Sequence, residues 1–132
     1  MIGTAPRWYV MFSGEQKHKH LIDWISPKAF LHCCAFFYDP RGERWIVYDV
    51  NRGGVALVAL TTDEFDVWMT YMRRQGARVL MIDWKQTHRL PLQIGMWCVV
   101  AVRYAIGSKS LAIRPIGLWR DLLREGAVEV FV

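Results

Sequence analysis

No apolar run in this chain approaches the length that spans a bilayer. The best one begins near Leu92 and is bounded by Arg103 and Lys109. The first residues, Met1 to Arg7, lack the long apolar stretch of a secretory leader and carry Pro6 and Arg7 instead, so a soluble, cytoplasmic setting is expected. Cysteine is scarce. Three residues, Cys33, Cys34 and Cys98, make an odd count with no repeated spacing, which excludes a disulfide framework and predicts free thiols in a reducing compartment. Adjacent Cys33 and Cys34 point to opposite faces of a strand and do not share a partner. Phosphate-loop chemistry is also missing, because no Gly-Lys-Ser/Thr follows Gly53-Gly54. His18 and His20 share one side of an extended segment, but no second ligand pair accompanies them, and His88 lies in a polar stretch. No metal or cofactor is called for.

Charge runs are lacking too. The net charge is +5 and the isoelectric point near 9.4, yet Arg41, Arg44, Arg73, Arg74, Arg103, Arg114 and Arg120 are scattered. That pattern is a mildly basic surface rather than a nucleic-acid footprint, and no nucleic-acid motif accompanies it.

What the chain has is apolar and aromatic residues. At 132 residues and 53% hydrophobic it can bury the core of a single domain, and seven Trp are many for that length. Strands are expected at residues 8–12, 30–38, 45–50, 55–60, 78–83 and 128–132. Asp39-Pro40-Arg41-Gly42 is turn chemistry and predicts a hairpin. Asn51-Arg52-Gly53-Gly54 predicts a second turn, residues 21–25 one helical turn or a loop, and residues 84–91 a polar loop. Thr61 with Glu64 reads as a capping box ahead of a helix whose apolar face is Phe65, Trp68, Met69 and Met72 and which Gly76 stops. A second helix is expected over residues 95–106, with Cys98, Ala101, Val102 and Ala105 on one face. Pro115 opens a third, with Leu118, Trp119, Leu122 and Leu123 inward and Gly126 at its end. The order is neither a regular strand–helix alternation nor all-β. It predicts an α+β domain, a small antiparallel sheet with helices packed on it.

Two chemically versatile residues stand at element starts: His32 at the head of the first hairpin strand and Cys98 near the start of the second helix. If Tyr38 pairs with Trp45, Cys34 lies opposite Asp49 and His32 opposite Asn51, so His32, Asp49 and Asn51 project to one side. A carboxylate beside an imidazole fixes its tautomer and stabilises the imidazolium, with Asp49 the first choice and Asn51 the alternative. A cysteine near a helix N-terminus gains from the helix dipole and from free backbone N–H groups. Taken singly, Cys98 reads first as a core residue and His32 as a satisfied structural one. Taken together, they point to acyl transfer or hydrolysis through a thioester.

The order of these pieces also resembles a known family. His32-Cys33-Cys34-Ala35-Phe36-Phe37-Tyr38, then Trp45-Ile46-Val47-Tyr48-Asp49-Val50, then Trp97-Cys98-Val99-Val100-Ala101-Val102 place a histidine strand, a polar residue on the return strand and a later cysteine helix. This is similar to the circularly permuted branch of the papain-like, NlpC-like superfamily, which includes the lecithin:retinol acyltransferase group. It also resembles small proteins encoded by tailed bacteriophages. The resemblance implies Cys98 as nucleophile, His32 as base and Asp49 as orienter, acting on a peptide, isopeptide or acyl bond. In a phage setting it implies a place in the host cytoplasm or the virion. The competing expectation is a catalytically inactive structural or interaction module, such as a minor virion component or a binder of a phage or host protein.

Overall fold

The computed structural model describes residues 7–14, 32–51, 54–83 and 97–130. Six strands are present: β1 (Arg7–Ser13), β2 (His32–Asp39), β3 (Arg44–Asn51), β4 (Gly54–Leu60), β5 (Arg78–Asp83) and β6 (Val128–Val130). Three helices accompany them: α1 (Thr62–Arg74), α2 (Trp97–Ile106) and α3 (Pro115–Arg124). The strands form one sheet in the order β4-β3-β2-β1-β5-β6, antiparallel at every pairing. The class is α+β. The expected strands at residues 30–31 and 131–132, the helix start at 95–96, the segments 21–25 and 84–91, and His18, His20 and His88 lie outside the described residues.

The β2–β3 hairpin follows from its turn. The Asp39 carboxylate accepts from the Arg41 N–H at 3.1 Å. It lies so close over Gly42 that a Cβ there would meet its oxygen at 2.8 Å. Tyr38 pairs with Trp45, the register on which the shared side of His32 and Asp49 depends. Register then fixes faces. Met11, Cys34, Phe36, Val47 and Val79 point to one side, whereas Val10, Phe12, Cys33, Ala35 and Leu80 point to the other.

Helix α1 carries the chain from the β4 edge back across the first of these faces to β5. Its start is set by the reciprocal capping box of Thr61 and Glu64, at 3.1 and 3.0 Å. Gly76, at φ 85°, turns the chain out of the helix in a conformation that side chains with a Cβ resist. Phe65 and Met69 are buried there, and the Phe65 ring stacks on Trp45 with centroids 4.0 Å apart. Phe36, Trp68 and Tyr9 extend this aromatic layer.

Helices α2 and α3 cover the opposite face. Val99, Val102, Ile106, Leu118 and Leu122 are buried against β1, β2 and β5, and Trp119 meets Phe12 edge-on at 5.2 Å. The inward face of α2 differs from the expected one. Cys98 and Val102 are buried, but Val99 and Ile106 take the places expected for Ala101 and Ala105, which are only half-buried. Arg103, expected among the scattered surface cations, is 1% exposed and donates to the Ala112 carbonyl at 3.0 Å. It thereby ties the α2–α3 connection to the helix. Ser108 and Ser110 in that connection hydrogen-bond to Glu125 and Asp121 at 2.8 and 2.6 Å, which satisfies their buried hydroxyls.

Two features bear on function. The sheet end that holds the start of β2 and the end of β3 lies beside the N-terminal turn of α2. At one sheet edge, β4 carries no charged residue, and Val55 and Leu57 are 66% and 69% exposed. Among the described residues, no helix is long and apolar enough to cross a membrane.

Candidate active site

Asp49 follows the Ala35–Tyr48 pair on β3 and, by alternation, shares the α1 face of the sheet with Val47, where both line a groove beneath Trp68 and Tyr71. His32 is the first residue of β2 and shares that parity. Its Nε2 lies 2.6 Å from Asp49 Oδ1, a charge-assisted hydrogen bond when the ring is protonated. Both side chains keep about a third of their surface open, 34% and 32%. With Nε2 committed to Asp49, Nδ1 is the nitrogen left for a second partner.

That partner comes from the other layer. Cys98 is the second residue of α2 and belongs to the core cluster that also holds Cys33. Its sulfur is hydrogen-bonded to the Cys33 thiol, to the His32 ring and to the Cys33 backbone N–H. His32 thus stands at the sheet end between the two layers, with a carboxylate from one and a thiol from the other. Cys33 follows His32 on the strand and, by alternation, faces α2.

The electrostatics follow from these contacts. His32 is raised from an ordinary 6.5 to about 10, chiefly by its hydrogen bond to Asp49 and next by that to Cys98, against an opposing effect of burial. Cys98 is lowered from 9.0 to about 4 by the Cys33 thiol and by His32, while burial opposes the shift. An S–H is a weak donor, whereas an imidazolium carries a full charge, so His32 is the partner whose loss changes the charge at the sulfur. The helix adds to it. Cys98 lies in the first turn of α2, whose N–H groups have no intrahelical acceptor, and no acidic residue competes there. The resting pair at neutral pH is therefore thiolate and imidazolium. Cys33 and Cys34 are both pushed up. Cys33 donates to Cys98 and is buried, and Cys34 is buried near the Asp49 charge.

Of the residues singled out in the sequence, the structure brings Cys98, His32 and Asp49 together. Asn51 is placed by its backbone at the end of β3, paired with Gly54, and its side chain lies outside the described residues. Cys33 is the member that sequence reasoning missed. The signal was present, because strand alternation sends the residue after His32 to the layer that holds Cys98. Among the described residues no cluster of His, Cys, Asp and Glu has the makings of a metal site.

A groove of about 690 Å³ opens on the α1 face between β3, β4 and the helix. It is lined by Val47, Val58, Leu60, Trp68 and Tyr71, and Asp49 stands at its margin. It borders the carboxylate of the constellation rather than the thiol.

Searched against protein-family models, curated proteins and solved structures, the chain matches none of them.

Proposed function

We propose that this chain is a thiol-dependent hydrolase or acyltransferase acting on a peptide, isopeptide or acyl bond. Within that class, the chain order histidine strand, carboxylate strand, cysteine helix makes it similar to the circularly permuted papain-like enzymes, and a phage-encoded origin fits the same resemblance. The observation that carries the reading is the continuous hydrogen-bonded series Asp49–His32–Cys98, in which each group has the partner its role requires.

In the proposed reaction the Cys98 thiolate attacks a carbonyl carbon, and the charge that develops on oxygen forms beside the first turn of α2. His32, resting as an imidazolium, gives its proton to the leaving group as the tetrahedral species collapses to a thioester. The neutral ring then takes a proton from water, for hydrolysis, or from an acceptor amine or alcohol, for transfer. Asp49 holds the ring in place by Nε2 and offsets its charge. No metal or other cofactor takes part in these steps.

The test is to trap the acyl-enzyme. Incubation with a panel of activated esters, thioesters and peptide thioesters should give a mass increase on Cys98 alone, abolished in Cys98→Ala and slowed in His32→Ala. Absence of an adduct from every member of the panel would contradict the reading.

The uncharged, exposed β4 edge favours a second reading, an interaction module with no turnover, for instance a minor virion component or a binder of a host protein. A Cys98 that reacts slowly with an ordinary pH profile supports it.

A further inference from the structure

Cys98 is not the only sulfur at the site. Cys33 on β2 and Cys98 on α2 lie in one buried cluster on the same face of the sheet, and the Cys33 thiol donates to the Cys98 sulfur, so two sulfurs from distant parts of the chain are brought together before any reaction. Nothing in an acyl-transfer mechanism requires a second thiol there, since the backbone N–H of Cys33 and the His32 ring already serve the thiolate. Cys34, the neighbour in sequence, is buried in the opposite layer among Met11, Phe36, Val47 and Phe65, with the sheet between it and Cys98. The environments of the three sulfurs differ accordingly. One rests as a thiolate beside an imidazolium, one rests as a thiol touching it, and one is remote.

We propose that Cys33 is a resolving cysteine, and that Cys33 and Cys98 form a reversible disulfide when the protein meets hydrogen peroxide or a small organic hydroperoxide. The consequence for activity rests on the reading of Cys98 as the nucleophile, because the disulfide withdraws that sulfur from catalysis.

The chemistry balances in two steps. The Cys98 thiolate attacks one peroxide oxygen, an S–O bond forms and the O–O bond breaks. The departing hydroxide takes the His32 proton and leaves as water, and sulfur has been oxidised to the sulfenic acid while peroxide is reduced. The Cys33 sulfur then attacks the Cys98 sulfur, the S–S bond forms and the S–O bond breaks. The Cys33 proton leaves with the expelled oxygen as a second water. With hydrogen peroxide the sum is two thiols and one peroxide giving one disulfide and two waters; with an organic hydroperoxide the departing group is the alkoxide, which takes the His32 proton and leaves as an alcohol in place of the first water. A resolving thiol already in contact intercepts the sulfenic acid before a second peroxide drives it to the irreversible sulfinic acid. Reduction by a dithiol restores the starting state.

The experiment uses the full chain without substitution. It is treated with a slight excess of hydrogen peroxide, quenched with iodoacetamide and mapped by mass spectrometry without reduction. The expected result is a peptide containing Cys33 joined to one containing Cys98, with Cys34 alkylated and dithiothreitol restoring three alkylatable thiols. Cys33→Ser should divert Cys98 to the sulfinic acid and make the loss of labelling irreversible. Cys34→Ala should leave the cross-link in place. Accumulation of Cys98 sulfinic acid in the wild type with Cys33 still alkylatable would overturn the proposal, as would a Cys33–Cys34 link or a link between chains. The two readings are separable. If Cys98 alkylates rapidly at low pH yet yields no disulfide, the resolving role alone falls. If a disulfide forms while acyl probes never label Cys98, the acyl-transfer reading alone falls.

Discussion

Replacing Asp49 by Asn separates charge from orientation at the site. The Asn oxygen keeps an acceptor 2.6 Å from His32 Nε2 but removes the negative charge. A hydrogen bond to a charged group contributes about 1.5–3 kcal/mol when well formed. Here both partners are about one-third exposed, so solvent screening argues for the lower end. At about 1.4 kcal/mol per pKa unit, the expected effect on His32 is a fall of about one unit from its position near 10. The assay is an NMR titration of the imidazole ring protons, with the His32 resonance assigned by its disappearance in His32→Ala. Cys98 should remain a thiolate in Asp49→Asn, because its lowering rests on Cys33 and His32 and not on Asp49. Asp49→Ala removes the acceptor as well, so it should cost more turnover than Asp49→Asn. The reasoning fails if His32 titrates near 6.5 in the wild type, or if Asp49→Asn leaves its midpoint unmoved.

Two further outcomes concern stability. Cys98, with its pKa depressed, contributes stability that is complete above 9 and is lost as pH falls towards 4. His32, with its pKa raised, contributes stability that is complete below 6.5 and is lost as pH rises through about 10. Chemical denaturation should therefore give a plateau between about pH 6.5 and 9 with a decline on each side; above 9 the raised Cys33 and Cys34 thiols add to the loss, so His32→Ala should make the alkaline decline shallower without abolishing it. A steady rise in stability from pH 7 to 10 would contradict the pairing. In the core of the α1 layer, Phe65→Ala removes a 1% exposed ring stacked on Trp45 and should cost about 3–5 kcal/mol by urea denaturation, whereas a loss under 1 kcal/mol would mean that the layer is not packed as described.

The local parts of this architecture were legible in the sequence because local chemistry dictates them. Asp39-Pro40-Arg41-Gly42 sets the hairpin turn and Thr61 with Glu64 starts a helix, whereas the alignment of Tyr38 with Trp45 is a supposition at the level of sequence that the structure supplies. From that register the nearness of His32 to Asp49 follows by counting residues. What counting could not give was the packing of α2. Both faces of that helix are apolar, so periodicity did not separate Val99 and Ile106 from Ala101 and Ala105. The burial of Arg103 depends on a carbonyl from the connection that follows the helix. The contact between Cys98 and Cys33 joins two layers, and only the helix–sheet packing reveals it, although alternation along β2 already put Cys33 on the correct side.

The most direct measurement is the rate of iodoacetamide alkylation at Cys98 against pH, read peptide by peptide in the wild type, His32→Ala and Cys33→Ala. The account predicts wild-type labelling that persists well below pH 7, towards the thiolate midpoint near 4. It also predicts a midpoint raised in both variants, and raised further by loss of the charged His32 than of the Cys33 thiol. A wild-type midpoint at the ordinary thiol value of about 8.5, unchanged in His32→Ala, would contradict it.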